Sequence, residues 1–161
     1  MDMLADTVLV GAGATALTDA WSLVRRRLFG MPLPNWGHVG RWFGHMCRGR
    51  FRHDAIGRAT PVAHEALLGW SAHYAIGIAF ATLLAAWQGL AWFHDPTLAP
   101  ALAVGIGTVL APFLLMQPGM GAGIAASRTP RPAIARIHSL ATHAMFGLGL
   151  YLTARLIALV A

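Results

Sequence analysis

The sequence predicts an all-α integral membrane protein, a bundle of four transmembrane helices with an amphipathic, arginine-rich cytoplasmic loop. Of the 161 residues, 57% are hydrophobic and only 11% are charged, whereas a soluble domain carries about 25% charged residues. The apolar residues are concentrated in stretches long enough to cross a bilayer, which takes about 20 residues in a helix. All 12 basic residues are arginines, and most of them flank these stretches.

Four apolar stretches are long enough to cross the membrane, and at this length we expect a single domain, 1–161. The first stretch ends at three consecutive arginines, which indicates an uncleaved helix, because a signal peptide has its positive charge before the apolar stretch. Pro112 lies inside the third stretch, where it removes a backbone hydrogen bond and should kink the helix. The predicted spans cover about residues 3–24, 64–92, 98–116 and 133–160, and the cytoplasmic loop covers 25–60.

The distribution of arginine predicts the orientation of the chain. The loop after the first span and the segment 117–132 carry nearly every arginine, while the turn at 94–97 carries none. Short loops rich in arginine stay in the cytoplasm, so we expect a multi-pass protein with both termini outside. The net charge of +6 is then explained by contact with anionic lipid headgroups, and nucleic acid is not an expected partner.

The cytoplasmic loop contains an amphipathic pattern. Val39, Trp42, Phe43 and Met46 follow helical spacing, and basic side chains line the other side. The loop is either a short helix lying on the inner leaflet or an arginine-rich cap that binds an anionic headgroup or substrate. The glycine-rich run 119–123 is either a backbone nest for an anion or a flexible loop. The residues predicted to bind an anion or lipid headgroup are Arg41, His45, Arg48, Arg52 and Arg128.

Polar and small side chains also lie inside three of the spans, in each case along one helix face. Their spacing of four residues forms a stripe, and the glycines in it allow a neighbouring helix to come close. At 1.5 Å per residue, Asp19, His73 and His143 lie roughly 9 to 15 Å below the cytoplasmic surface. The stripes are Gly11, Thr15 and Asp19; Glu65, Gly69, His73 and Gly77; and Ser139, His143, Gly147, Tyr151 and Arg155.

Ionisable groups inside a membrane usually mark a functional site. Imidazole and carboxylate bind transition metals, and two facing histidines can hold a haem iron. We therefore predict a metal or haem site at His73 and His143, with Asp19 and Glu65 as further metal ligands, in a protein linked to redox chemistry. Two alternatives stay open: a small proton-coupled transporter or exporter, for instance a homo-oligomer, and a non-catalytic accessory subunit of a membrane complex. No HExxH, CxxC or Walker motif decides among them, nor whether the protein is an enzyme.

Motifs along the whole chain resemble those of one family. They are Asn35-Trp36, Val39-Gly40-Arg41-Trp42, Gly44-His45, Arg48-Gly49-Arg50-Phe51-Arg52-His53, Gly69-Trp70, Ala72-His73-Tyr74-Ala75-Ile76-Gly77, Gln117-Pro118-Gly119-Met120-Gly121-Ala122-Gly123, Ala125-Ala126-Ser127-Arg128-Thr129-Pro130, and His143 with Phe146-Gly147-Leu148-Gly149-Leu150-Tyr151. Together they are similar to the bacterial membrane proteins grouped as domain-of-unknown-function family 2938. The resemblance implies a four-span protein of the bacterial inner membrane and implies no particular activity.

Overall fold

The computed structural model describes residues 3–160, with side chains from Leu4 onward. Within this range the chain is helical and contains no β-strand. Short 3₁₀ turns lie at Ile56–Arg58, Leu90–Phe93 and Ile124–Ala126. The α-helices are α1 Met3–Phe29, α2 Trp36–Met46, α3 Glu65–Gln88, α4 Leu98–Gly107, α5 Gln117–Met120 and α6 Pro132–Val160.

Four helical stretches are long and apolar enough to cross a membrane, as the sequence predicted. Large apolar side chains on them are exposed, for example Leu4 at 76% and Leu159 at 74%, which fits contact with lipid rather than water. The protein is therefore a multi-pass membrane protein. Its orientation and the identity of the membrane stay predictions. The four stretches are Leu4–Phe29, Glu65–Gln88, Leu98–Met120 and Pro132–Val160.

The described residues fall into two compact units, each of which is considered by itself. The bundle unit contains residues 3–33, 74–108 and 140–160, and the arginine-rich unit contains residues 34–73 and 109–139. The long helices α3 and α6 each contribute one part to each unit. This division leaves the predicted single membrane domain as a prediction.

Four helical segments share one hydrophobic core in the bundle unit. They are α1, the second part of α3, α4 and the second part of α6, and their core side chains include the fully buried Val10, Leu84 and Leu150. Small residues bring the backbones together, since a Cβ atom on Gly105 would collide with the backbone of Gly147. Such contacts are typical of helices packed in a membrane, where close approach supplies van der Waals attraction.

The predicted stripes of small residues form these contacts. Gly11 packs against the backbone of Ile78, and Gly77 packs against the Thr15 hydroxyl. That hydroxyl donates a hydrogen bond to the Gly11 carbonyl at 2.8 Å. The prediction that glycines admit a neighbouring helix is therefore confirmed within the bundle unit.

The third span is interrupted rather than regular. The helix α4 ends at Gly107, where the Thr108 hydroxyl donates to the Gly105 carbonyl at 2.7 Å. A π-helical segment, Pro112–Met116, follows. Because proline has no amide hydrogen to donate within a helix, a local change of helical hydrogen bonding is the expected response. The regular α-helical hydrogen bonding is thus lost at Pro112, while the predicted kink stays a prediction.

The arginine-rich unit is built on a close contact between α2 and the start of α3. The helix α2 begins where the Asn35 side chain accepts a hydrogen bond from the His38 N–H at 3.2 Å, which is a typical N-cap. A Cβ atom on Gly40 would collide with the backbone of Glu65, and one on Gly69 would collide with the backbone of α2. The loop helix is thus part of the fold of this unit.

Candidate functional site

Arg41, one of the residues predicted to bind an anion, pairs with an acid inside the arginine-rich unit. Its guanidinium donates to both carboxylate oxygens of Glu65 at 2.8 Å and to three backbone carbonyls of residues 56–59 at 3.0–3.3 Å. Hydrogen bonding to Glu65 raises the pKa of the Arg41 guanidinium. The same carboxylate accepts a hydrogen bond from the Val62 N–H at 3.1 Å. Arg41 therefore ties the loop to the start of α3, which is a structural role.

Two further predicted anion ligands lie at and after the end of α2. The buried His45 has its Nε2 atom 2.9 Å from the Thr60 carbonyl oxygen, which can only accept, so Nε2 donates. Arg48 lies in an exposed turn. Because α2 ends at Met46, the predicted helical stripe of basic residues is wrong beyond that point, and Arg52 does not belong to it.

A polar cavity of about 390 Å³ lies in the arginine-rich unit, between the segment 50–54 and the turn 118–128. Arg52 and Arg128, both predicted to bind an anion, line it together. Three arginines and one aspartate are among the lining residues, so the lining has a net positive charge. We call this site the arginine cavity. Its polar lining residues are Arg50, Arg52, His53, Asp54, Ser127 and Arg128.

One wall of the arginine cavity is held by hydrogen bonds from a backbone amide and from an indole side chain. The His53 N–H donates to the Gly119 carbonyl at 2.9 Å, and the Trp42 indole N–H donates to the Phe51 carbonyl at 3.0 Å. Gly119 packs directly on the Trp42 ring, and Gly121, with φ of 98°, packs on the backbone next to His53. Glycine is needed here because a larger residue would separate the two segments.

The opposite wall contains a strained turn. Ala125 and Ala126 have φ values of 46° and 58°, and this left-handed conformation costs an L-residue roughly 1–2 kcal/mol. Hydrogen bonds hold the turn: Arg136 Nε donates to the Ala125 carbonyl and the Thr129 hydroxyl donates to the Ala126 carbonyl, both at 2.8 Å. Strain held in place in this way is common where a ligand is bound, and the turn leads directly into Ser127 and Arg128 of the cavity lining.

His53 is the least exposed of the ionisable residues at the arginine cavity. Only 6% of it is accessible, and its Nε2 atom forms no hydrogen bond with any residue in the range 3–160. Burial lowers the pKa of the imidazole, and the charge of Arg50 and the nearby His45 ring contribute in the same direction. The hydrogen bond to Gly119 and the charge of Asp54 oppose the shift. The lowered pKa favours the neutral imidazole at neutral pH.

Two of the predicted metal ligands belong to the bundle unit, and each has a hydrogen-bond partner there. The Tyr74 hydroxyl donates to Asp19 at 3.1 Å. The Nδ1 atom of His143 lies 3.1 Å from the Thr108 hydroxyl and 3.2 Å from the Gly105 carbonyl. Both interactions join different helical segments of the bundle.

The other two predicted metal ligands belong to the arginine-rich unit. His73 stacks on Trp36 with ring centroids 3.8 Å apart and meets Trp70 edge-on at 5.9 Å, while Glu65 forms the ion pair described above. Across residues 3–160, no three histidine, cysteine, aspartate or glutamate side chains form a group that could hold a metal ion. The metal or haem site stays a prediction, for which a stoichiometric metal or a Soret band lost in His143→Ala would be the test.

The sequence analysis missed Arg50, His53, Asp54 and Ser127 as members of the arginine cavity. Helical spacing groups Arg52 with α2, but this part of the chain is extended, so every second residue shares a face. The alternation of Arg50, Arg52 and Asp54 was the signal that identifies part of the lining. His53 and Ser127 gave no such local signal.

Four helices able to cross a membrane, together with a basic cavity among their connecting segments, define a multi-pass membrane protein with a candidate anion site. The chain belongs to the family described as protein of unknown function DUF2938, whose profile matches residues 8–157. The family predicted from the motifs is thereby confirmed. No curated protein and no solved structure matches the chain significantly.

Proposed function

We propose that this membrane protein binds a phosphate-bearing anion in the arginine cavity. The observation that supports the proposal is the convergence of Arg50, Arg52 and Arg128 on one cavity with a single carboxylate, Asp54. The planar guanidinium group matches the geometry of phosphate oxygens and can donate two parallel hydrogen bonds to them. An anion in this place would offset the repulsion among the three arginines.

The charge of the surrounding chain supports the same proposal. The segments 34–73 and 109–139 contain eight arginines and only two carboxylates, Asp54 and Glu65. Glu65 is paired with Arg41 and so balances a charge outside the cavity. A concave site lined by one sign of charge attracts ligands of the opposite sign.

The anion could come from a lipid headgroup or from a soluble phosphate compound, and both present the same chemistry to arginine. We would titrate the detergent-purified protein by calorimetry with a short-chain phosphatidylglycerol and, separately, with inorganic phosphate. Binding of the lipid alone assigns the site to a headgroup. Binding of phosphate alone assigns it to a soluble ligand.

The decisive variant is Arg52→Gln with Arg128→Gln, which removes two charges from the arginine cavity. Hydrogen bonds to charged groups are worth about 1.5–3 kcal/mol each, so we expect the affinity to fall at least about tenfold. The matched control is Arg58→Gln with Arg131→Gln, which removes the same charge from exposed arginines outside the cavity lining.

The two variants separate a site from general surface attraction. The proposal requires that the cavity variant weakens binding and that the control retains the parental affinity. Equal loss in both variants would mean that the anion responds only to net charge, and the proposal would fail. It would also fail if the parent protein bound neither the lipid nor phosphate.

A further inference from the structure

The arginine cavity lies beside the ends of two spanning stretches. Pro118, which lines the cavity, belongs to the stretch Leu98–Met120 and is close to its end. Arg128, also in the lining, lies just before the stretch Pro132–Val160. Because about 20 residues of helix fill the hydrocarbon core of a bilayer, the ends of such stretches lie at the level of the lipid headgroups. The cavity is therefore next to the phosphates of the surrounding lipid.

Part of the cavity lining is apolar and exposed. Ile124 lines the cavity, and 61% of its surface is accessible. Phe51, between Arg50 and Arg52 in the chain, is 58% exposed. Exposed apolar side chains next to arginines are typical of the boundary between headgroups and acyl chains, where each kind of side chain has a partner. Inorganic phosphate has no apolar part to cover Ile124, whereas the phosphate of a phospholipid is attached to glycerol and acyl chains.

We infer that the ligand of the arginine cavity is an anionic phospholipid of the surrounding bilayer, and that Ile124 contributes to its selection. This inference rests on the proposed function and adds the source of the phosphate. The phosphate binds the arginines of the cavity, and the apolar part of the lipid next to the headgroup lies on Ile124. The positive lining favours an anionic lipid over a zwitterionic one, whose ammonium group would add positive charge.

The first test is a calorimetric comparison of three probes on the detergent-purified parent protein. Short-chain phosphatidylglycerol is the expected ligand. The phosphodiester of two glycerol molecules has the same headgroup without acyl chains, and short-chain phosphatidylcholine has the acyl chains without net charge. Burial of even two CH₂ groups is worth about tenfold in affinity. We expect phosphatidylglycerol to bind at least about tenfold more tightly than either of the other probes.

Each other outcome of this comparison has a definite meaning. Equal affinity of phosphatidylglycerol and its soluble headgroup would overturn the inference while leaving the proposed function intact. Equal affinity of the two lipids would mean that apolar partition alone causes binding, and the inference would fail as well. If no probe bound and inorganic phosphate did not bind either, the proposed function itself would be overturned.

The second test uses Ile124→Asn, which removes the apolar surface at the cavity. We expect the affinity for phosphatidylglycerol to fall about fivefold and the affinity for the soluble headgroup to stay unchanged. Leu33→Asn is the control, because Leu33 is also apolar and exposed but lies outside the lining. An unchanged affinity for the lipid, or an equal loss for both probes, would contradict the role of Ile124. If the variant does not fold, the comparison on the parent protein still decides.

The third test locates Ile124 in a bilayer. The exposed Cys47 is first replaced by serine, and Ile124→Cys then carries a nitroxide label in the reconstituted protein. We expect the label to be more accessible to oxygen, which concentrates in hydrocarbon, than to a water-soluble nickel complex. The aqueous reference is a label at Asp95→Cys, in an exposed turn. If the label at 124 matched this reference, Ile124 would face water and the inference would fail.

Discussion

The bundle unit and the arginine-rich unit differ in their balance of charge. The described parts of the chain in the bundle unit, 3–33, 74–108 and 140–160, carry four arginines and three carboxylates, whereas the other unit carries eight arginines and two carboxylates. In the bundle, helices meet through glycines and a shared apolar core. In the arginine-rich unit, close packing holds a cavity whose positive charge is not balanced.

This difference indicates that the bundle unit contributes mainly to stability, whereas the arginine-rich unit is the candidate for binding a ligand. Where helices are surrounded by lipid, packing of small residues holds them together, and Asp19 and His143 form hydrogen bonds between helical segments of the bundle. Uncompensated charge, by contrast, stabilises nothing by itself and becomes favourable only when a counter-ion is bound. The charge balance therefore directs the search for a ligand to the arginine-rich unit.

The largest effect that we expect comes from Gly147→Leu in the bundle. A Cβ atom at this position would lie 2.8 Å from the Ala101 carbonyl oxygen and 3.0 Å from Leu102 Cα, so the backbones must separate. Overpacking of this kind costs typically 1–3 kcal/mol, and contact with backbone should place this variant near or above about 3 kcal/mol. Thermal unfolding in detergent measures it. The control is Gly107→Leu, since nothing lies within 4 Å of a Cβ atom there.

Arg41→Ala should give the next largest effect, in the arginine-rich unit. It leaves the Glu65 carboxylate without its cation and releases the carbonyls of residues 56–59. Removing one member of a partly buried pair is more harmful than removing both. We expect the melting temperature to fall by several degrees and hydrogen exchange to rise at 56–60. The exposed Arg58→Ala is the control, and an equal fall in both would contradict the structural role of Arg41.

Asp6→Asn tests the effect of a buried carboxylate in the bundle unit. Asp6 is only 1% exposed, and its Oδ1 atom forms no hydrogen bond within the described part of the chain. Because burial of a charged carboxylate in a membrane-spanning helix is unfavourable, the neutral amide should raise the melting temperature modestly. Asp95→Asn, at an exposed turn, should have no effect. A lower melting temperature for Asp6→Asn would show that the carboxylate is needed.

The smallest effect that we expect is a pH dependence of the arginine-rich unit due to His53. Its pKa in the folded protein lies below the usual value of 6.5, so the unfolded chain binds the proton more readily. The stability is then fully present above about pH 6.5 and decreases as the pH falls toward the lowered pKa. Hydrogen exchange of residues 50–54 at about pH 7.5 and about pH 5.5 would measure the change.

His53→Asn should remove this part of the pH dependence, because the variant has no group at this position that titrates in the range. His38→Asn provides the control, since it removes a histidine of the same unit that lies outside the lining of the arginine cavity. If both variants kept the parental difference between the two pH values, another group would be responsible.

Local patterns predicted the four spanning helices, but they predicted only part of the lining of the arginine cavity. Apolar length predicted all four candidate spans, and spacing by four predicted that Gly11, Gly77 and Gly147 face other helices. Helical spacing failed after Met46, because the chain leaves the helix there and the grouping of Arg52 with Arg41 no longer holds. Asp19 and His143 were predicted as ligands from their chemistry, their helical stripes and their matching depth, and none of these reveals that Tyr74 and Thr108 lie beside them.

The sequence by itself determined that this is a four-span helical membrane protein. The reason is that each spanning helix needs about 20 consecutive, mainly apolar residues and makes its backbone hydrogen bonds within itself. Only the tertiary structure decided which arginines are already paired and which converge on a cavity. The hydrogen bonds between Arg41 and Glu65 join residues 24 apart, and that between His53 and Gly119 joins residues 66 apart. Contacts of that separation depend on how whole segments pack, and no local periodicity encodes them.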